Sequence, residues 1–306
     1  MSIEKTINDG IRDLVDGLFG GRAREAGDTP TLKGADGGWD AAAGGLGKAP
    51  NRALDRSLVD VAGAVYDPAN TQAGGWRRLG DGELANAGID AGLQYRDGMK
   101  AGVFTDGNGH YVVGYAGNDG SPEDVPQVIA QSAGVDTRQV DNAVALAHQV
   151  ENAYGGDNVI YTGHSMGGSL AGAAAAATGS TSVVFNSQGV HDNTLARLGL
   201  DPAGTRAAMA ERSRAYGMDG DYATHLQNDV PFTNALPDAL GADLRFNNPE
   251  GLSNLANAHN LGPIATAFDR GFAVRSGDAH PQILEQPLQD AYNFFTGILR
   301  GLPIKV

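Results

Sequence analysis

The pentapeptide Gly163-His164-Ser165-Met166-Gly167 is set between the apolar run Val159-Ile160-Tyr161-Thr162 and the Ala- and Leu-rich stretch Ser169 to Thr178. That order reads as strand, sharp turn, helix. It matches the G-x-S-x-G nucleophile elbow, in which a tight turn forces the serine into a strained conformation and lifts its hydroxyl clear of a sheet. Small residues on both sides are a steric necessity there. The competing reading is a Gly-rich structural turn, and the strand before and helix after favour Ser165 as a nucleophile.

A serine hydroxyl is a weak nucleophile until a base takes its proton, and that base needs an acid to hold its tautomer. In a fold with this elbow the chain order is Ser, then Asp or Glu, then His. Asp229 fits the acid, because it follows a predicted strand at Ala223 to Leu226 and precedes Val230-Pro231, which stops a ladder. Asp219 and Asp221, in a Gly-containing turn, are its rivals. Of seven histidines, His110 and His148 lie upstream, His164 adjoins the serine, and His191 and His225 precede the acid. The base is then His259, which opens the apolar run Leu261 to Phe268, with His280 as the alternative. Donors for an oxyanion are expected from the Met166 amide and from Asn118, in the turn after the strand Tyr111 to Tyr115; a simple Gly-Asn turn is the other reading of Asn118.

The rest of the chain reads as α/β, strand-like and helix-like signals alternating as in a mostly parallel sheet flanked by helices. Val103 to Thr105 and Tyr111 to Tyr115 flank Asp106-Gly107-Asn108-Gly109, a hairpin signal. Val140, Ala143, Val144, Ala147, Val150 and Tyr154 form one helical stripe ended by Gly155-Gly156, and Val183 to Asn186 reads as a strand. Leu284 to Leu299 carries a closing amphipathic helix. Residues 1–53 are expected to form an arm, an amphipathic helix with Ile3, Ile7, Ile11 and Leu14 on one side followed by a Gly- and Ala-rich linker, and 54–306 the catalytic domain.

A formal charge of −14 with no basic cluster argues against nucleic acid as a partner. The absence of cysteine removes disulfides and cysteine-based metal or nucleophile sites. Asp9, Asp13 and Asp16 interrupt the first apolar stretch, which disfavours a Sec-type signal, and no run approaches 18 apolar residues.

With these blocks in order the chain resembles the class 3 lipase family of α/β-hydrolases. Tyr111 to Asp119 resembles the family's strand ending in F-R-G-T, with Ala116 and Asn118 in place of the usual Arg and Thr or Ser. Glu123-Asp124-Val125 is similar to its D-W block, Gly163 to Gly168 to its G-H-S-L-G-G, Asn228-Asp229-Val230-Pro231 to its D-P-V-P, and His259-Asn260-Leu261 to its H-S block. The resemblance covers about residues 55 to 270. It implies a lipase-type ester hydrolase without metal or cofactor, with phospholipid the preferred substrate (A1-type) and triacylglycerol or small esters as alternatives. It also implies a lid across Gly120 to Val135, with Val125, Val128 and Ile129 facing an acyl chain, and transient contact with a membrane surface. An esterase, thioesterase or acyltransferase using the same residues is the first alternative; a non-catalytic interaction module on a decayed hydrolase fold is the second. A disfavoured Sec-type signal is compatible with either a cytoplasmic enzyme or an exported effector; the lipase resemblance, the absence of cysteine and the irregular N-terminal arm lead to an expectation of the exported effector, with a secretion-machinery or inhibitor partner.

Overall fold

The computed structural model describes residues 49–118, 138–221, 237–248 and 255–276. The expected N-terminal arm, the lid residues Val125, Val128 and Ile129, the strand at Ala223 to Leu226, Asp229, His280 and the closing helix lie outside the described residues.

Helix α1 (Arg52–Ala64) begins two residues before the expected domain boundary. The Asn51 side chain caps it by accepting from the Leu54 amide, and Leu58, Val59, Val61 and Ala62 recur at helical spacing on its buried side. Strands β1 (Gln72–Ala73) and β2 (Trp76–Arg78) lead through the short helix α2 (Asp81–Asn86) to β3 (Ala101–Thr105) and β4 (Tyr111–Tyr115). The β3–β4 hairpin is the one expected from Asp-Gly-Asn-Gly: Gly107 and Gly109 take φ of 80° and 93°, and Asp106 Oδ1 accepts from the Asn108 amide. Then follow α3 (Arg138–Tyr154), β5 (Val159–His164), α4 (Met166–Thr178), β6 (Thr181–Phe185), α5 (Asp192–Arg197), α6 (Pro202–Arg212), β7 (Arg214–Met218) and β8 (Ala242–Phe246). The last described elements are α7 (Leu255–Ala258), α8 (Leu261–Asp269) and β9 (Val274–Ser276).

All nine described strands form one sheet in sequence order. Strands β4 to β8 run parallel, with antiparallel strands at both edges. Parallel neighbours need crossover connections, and α3, α4 and the α5–α6 pair supply those between β4 and β7; most of the connection from β7 to β8 lies outside the described residues. The sheet is therefore covered on both faces and its strands alternate between two cores. Val113, Tyr115, Val159 and Tyr161 pack with α3 and α4; Phe104, Val112, Ile160, Phe185 and Tyr216 pack with α1 and α8.

Two features of the centre need explanation. Every residue of α4 from Met166 to Ala176 is buried, which is why it is built of Gly and Ala: it lies between the sheet and α3 with no solvent face. Arg214 is fully buried within β7, where its guanidinium meets Asp55 of α1 at 2.7 Å and the Tyr216 hydroxyl donates to the same carboxylate at 2.6 Å. This pairing makes a charged residue tolerable inside a strand and ties α1 to the sheet.

Candidate active site

The elbow has the local geometry its sequence requires. Ser165 stands between β5 and α4 at φ 56° and ψ −128°, a conformation that L-residues rarely adopt. The glycines around it are fixed by close approach. A Cβ on Gly163 would lie 2.3 Å from the Gly167 carbonyl oxygen, and one on Gly167 would lie 2.2 Å from that of Tyr115. Met166 opens α4, so its amide is among the first-turn donors that have no partner within the helix.

His259 occupies the turn between α7 and α8 and reaches the elbow from the other side. Its Nε2 lies 3.0 Å from Ser165 Oγ, and its Nδ1 lies 2.6 Å from Asp221 Oδ1. A carboxylate only accepts, so Nδ1 carries the proton and Nε2 is left to accept from the serine hydroxyl. The Asp221 side chain is completely buried. Asp221 lies three residues beyond β7; its amide bonds the Met218 carbonyl, Gly220 takes φ 83°, and Arg275 of β9 pairs with Asp219 on the same turn.

Of the sequence candidates, the structure thus brings Ser165 and His259 together. The carboxylate on His259 is Asp221, one of the two rivals to Asp229, which lies outside the described residues together with the alternative base His280. Asn118 is half-buried, one residue past Gly117, and a Cβ on Gly117 would come within 3.1 Å of Ser165 Cβ. The loop carrying Asn118 therefore adjoins the serine.

Three side chains that sequence reasoning did not assign complete the surroundings. His164 Nε2 donates to the His259 carbonyl oxygen at 2.6 Å, and because that proton is committed, Nδ1 accepts from the Tyr66 hydroxyl at 3.0 Å. The Tyr66 oxygen in turn accepts from the Gly117 amide at 3.0 Å. Asn186, fully buried after β6 at φ 42°, donates to the carbonyls of Ala258 and His259 at 2.8 and 3.0 Å and accepts from the Met218 amide at 2.9 Å. Burial, together with the neighbouring His259, pushes the His164 pKa down to about 4, so this imidazole is neutral at pH 7. Nothing local marked Tyr66 or Asn186, whose partners are distant in sequence; His164 stood within the elbow motif, where its second function was hidden by the first.

Among the described residues no cluster of three or more His, Asp or Glu is suited to hold a metal ion. The arrangement is suited to moving a proton from Ser165 Oγ to His259 Nε2, with Asp221 facing the positive charge that results.

A parallel-centred sheet with crossover helices and a strained serine between a strand and the helix that follows defines an α/β-hydrolase. The chain belongs to the Tle-like phospholipase family, whose model matches residues 58–258. It is 36% identical over 204 residues to an extracellular phospholipase A1 of Serratia liquefaciens, a match covering 66% of this chain and 62% of the relative. The chain thus spans somewhat less than two thirds of that relative's length. Among solved structures it is similar to a triacylglycerol lipase from Penicillium expansum, at 15% identity and a TM-score of 0.41 over 65% of this chain and 82% of that one. The Rhizomucor miehei lipase propeptide complex is similar at 15% identity and a TM-score of 0.36 over 76% and 80% of the two chains.

Proposed function

We propose that this protein hydrolyses acyl esters of phospholipids through an acyl-enzyme on Ser165. The observation that carries the proposal is the continuous hydrogen-bonded chain from the strained elbow serine Ser165 through His259 to buried Asp221. Ser165 Oγ attacks the ester carbonyl while His259 Nε2 takes its proton, and Asp221 stabilises the imidazolium. The Met166 amide, at the positive end of α4, and Asn118 hold the oxyanion. His259 then protonates the departing lysophospholipid oxygen, and a water activated by the same imidazole releases the fatty acid and restores Ser165.

The family and the extracellular phospholipase A1 relative support a phospholipid substrate and attack at the first acyl position. The same relative supports action outside the producing cell, as an exported enzyme. Val125, Val128 and Ile129 are retained as acyl-facing lid candidates, on the strength of the family resemblance alone.

The test is fatty acid release from phosphatidylcholine and triolein dispersions carrying distinguishable acyl chains, with wild type and Ser165→Ala side by side. Release of the first-position chain from phospholipid by the wild type alone supports the proposal. Release from triolein only replaces the substrate class, and release by Ser165→Ala equal to wild type removes the serine mechanism.

A further inference from the structure

The chain of hydrogen bonds around the serine does not stop at Asp221. On the opposite side of His259 a second chain leads away from its backbone, and its members come from three separated parts of the fold. Gly117 follows β4, Tyr66 follows α1, and His164 ends β5 immediately before the serine. The direction of every bond in it is fixed. The His259 carbonyl oxygen only accepts, so His164 Nε2 carries hydrogen; Nδ1 then has only a lone pair to offer, so the Tyr66 hydroxyl donates to it; the Tyr66 oxygen is left to accept from the Gly117 amide. None of these groups needs to touch a substrate.

We infer that Tyr66 and His164 are positioning residues, a hydrogen-bonded relay that sets the loop carrying Asn118 and the turn carrying His259 in register with each other on either side of Ser165. The inference rests on the serine-hydrolase reading above. Gly117 is where the relay meets that loop. It is buried, and a side chain there would strike the His164 carbonyl oxygen at 2.6 Å and the Tyr66 hydroxyl at 2.8 Å, so both backbone and amide are held at close quarters. His259 is where the relay meets the base. The rings of His164 and His259 stand 4.9 Å apart, so a neutral His164 leaves room for the positive charge that His259 acquires when it takes the serine proton. The relay therefore joins two groups required at the same moment, one on the oxyanion side and one on the proton-transfer side. A misplacement of about 1 Å at such a distance from the chemistry is enough to cost about 100-fold in turnover.

The test compares wild type, Tyr66→Phe, His164→Gln and His164→Leu on a soluble p-nitrophenyl ester and on phosphatidylcholine vesicles, with thermal melting of each variant. Tyr66→Phe keeps the ring and removes only the hydroxyl. The expected result is kcat lowered about 10- to 100-fold with KM within about twofold and cooperative melting retained. His164→Gln, whose Nε2 preserves a donor for the His259 carbonyl, is expected to keep more of kcat than His164→Leu. Wild-type kcat in Tyr66→Phe, or equal kcat in the Gln and Leu variants, overturns the inference. If the wild type cleaves the ester but not the vesicles, the phospholipid reading fails, and the ester data still decide the relay.

Discussion

Asp221 Oδ1 lies 2.6 Å from Nδ1 of His259, and the carboxylate is closed off from solvent. A neutral amide in its place offers His259 a donor as readily as an acceptor, so the imidazole loses the constraint that points its lone pair at Ser165. Asp221→Asn is expected to lower kcat roughly 10³- to 10⁴-fold with little change in KM, measured by steady-state ester hydrolysis. Asp229→Asn measured alongside separates the two acids: loss at Asp229 with none at Asp221 overturns the assignment.

The pairing of Asp55 with Arg214 predicts a stability effect without a direct catalytic one. Both side chains are fully buried, and the carboxylate also accepts from Tyr216, so Asp55→Ala strands a guanidinium inside the sheet. The expected cost is about 3–5 kcal/mol in urea unfolding, because removing one partner leaves the other charge uncompensated. Replacing both together, Asp55→Leu with Arg214→Met, should recover much of that loss. A single variant within about 0.5 kcal/mol of wild type would show that the pair does not secure α1.

What could be read from the sequence was what is local. The elbow around Ser165, the Asp-Gly-Asn-Gly hairpin and the stripe of α3 each depend on residues within a few positions of one another, and each stands where the sequence placed it. Strand β7 was missed because Arg214 sits inside it, and the partner that neutralises that charge is 159 residues away. The acid is subject to the same gap: without β7 the turn at Asp219 to Asp221 has no strand to follow in the sequence, which points instead to Asp229, outside the described residues, while the carboxylate against His259 is that of Asp221. Asn186 closed a predicted strand, yet nothing in its neighbourhood announced that it holds the turn of the base.

His164 predicts a pH effect whose sign is fixed. Burial, with His259 nearby, lowers its pKa from 6.5 to about 4, so between those values the unfolded chain binds a proton that the folded protein refuses. Stability contributed at this site is therefore complete above pH 6.5 and falls as pH drops toward 4, by an amount on the order of 3 kcal/mol. Other groups also titrate in this range, so the comparison is between wild type and His164→Gln by urea unfolding at pH 7.5 and 4.5. The wild type is expected to lose more stability than the variant over that interval, and equal losses would show that His164 titrates normally in the folded protein.

Asn186 joins the ends of two strands to the turn of the base, and its two functional atoms do different work. Its amide nitrogen donates to the Ala258 and His259 carbonyls, while its oxygen accepts from the Met218 amide, three residues before Asp221. It thus bridges the segments carrying base and acid. Asn186→Asp keeps the acceptor for Met218 but turns an oxygen toward two carbonyl oxygens, whereas Asn186→Ala removes both functions, leaving the His259 carbonyl to His164 and taking from the Met218 amide and the Ala258 carbonyl bonds whose loss costs about 1–3 kcal/mol each. If the group acts by holding His259, Asp should damage turnover at least as severely as Ala even though it preserves the Met218 bond and tolerates the positive φ better. Both variants should lose kcat by about 10-fold or more, read on the soluble ester with melting temperatures recorded in parallel. An Asp variant with wild-type kcat would mean that the two carbonyl contacts are incidental and that the turn is held by His164 alone.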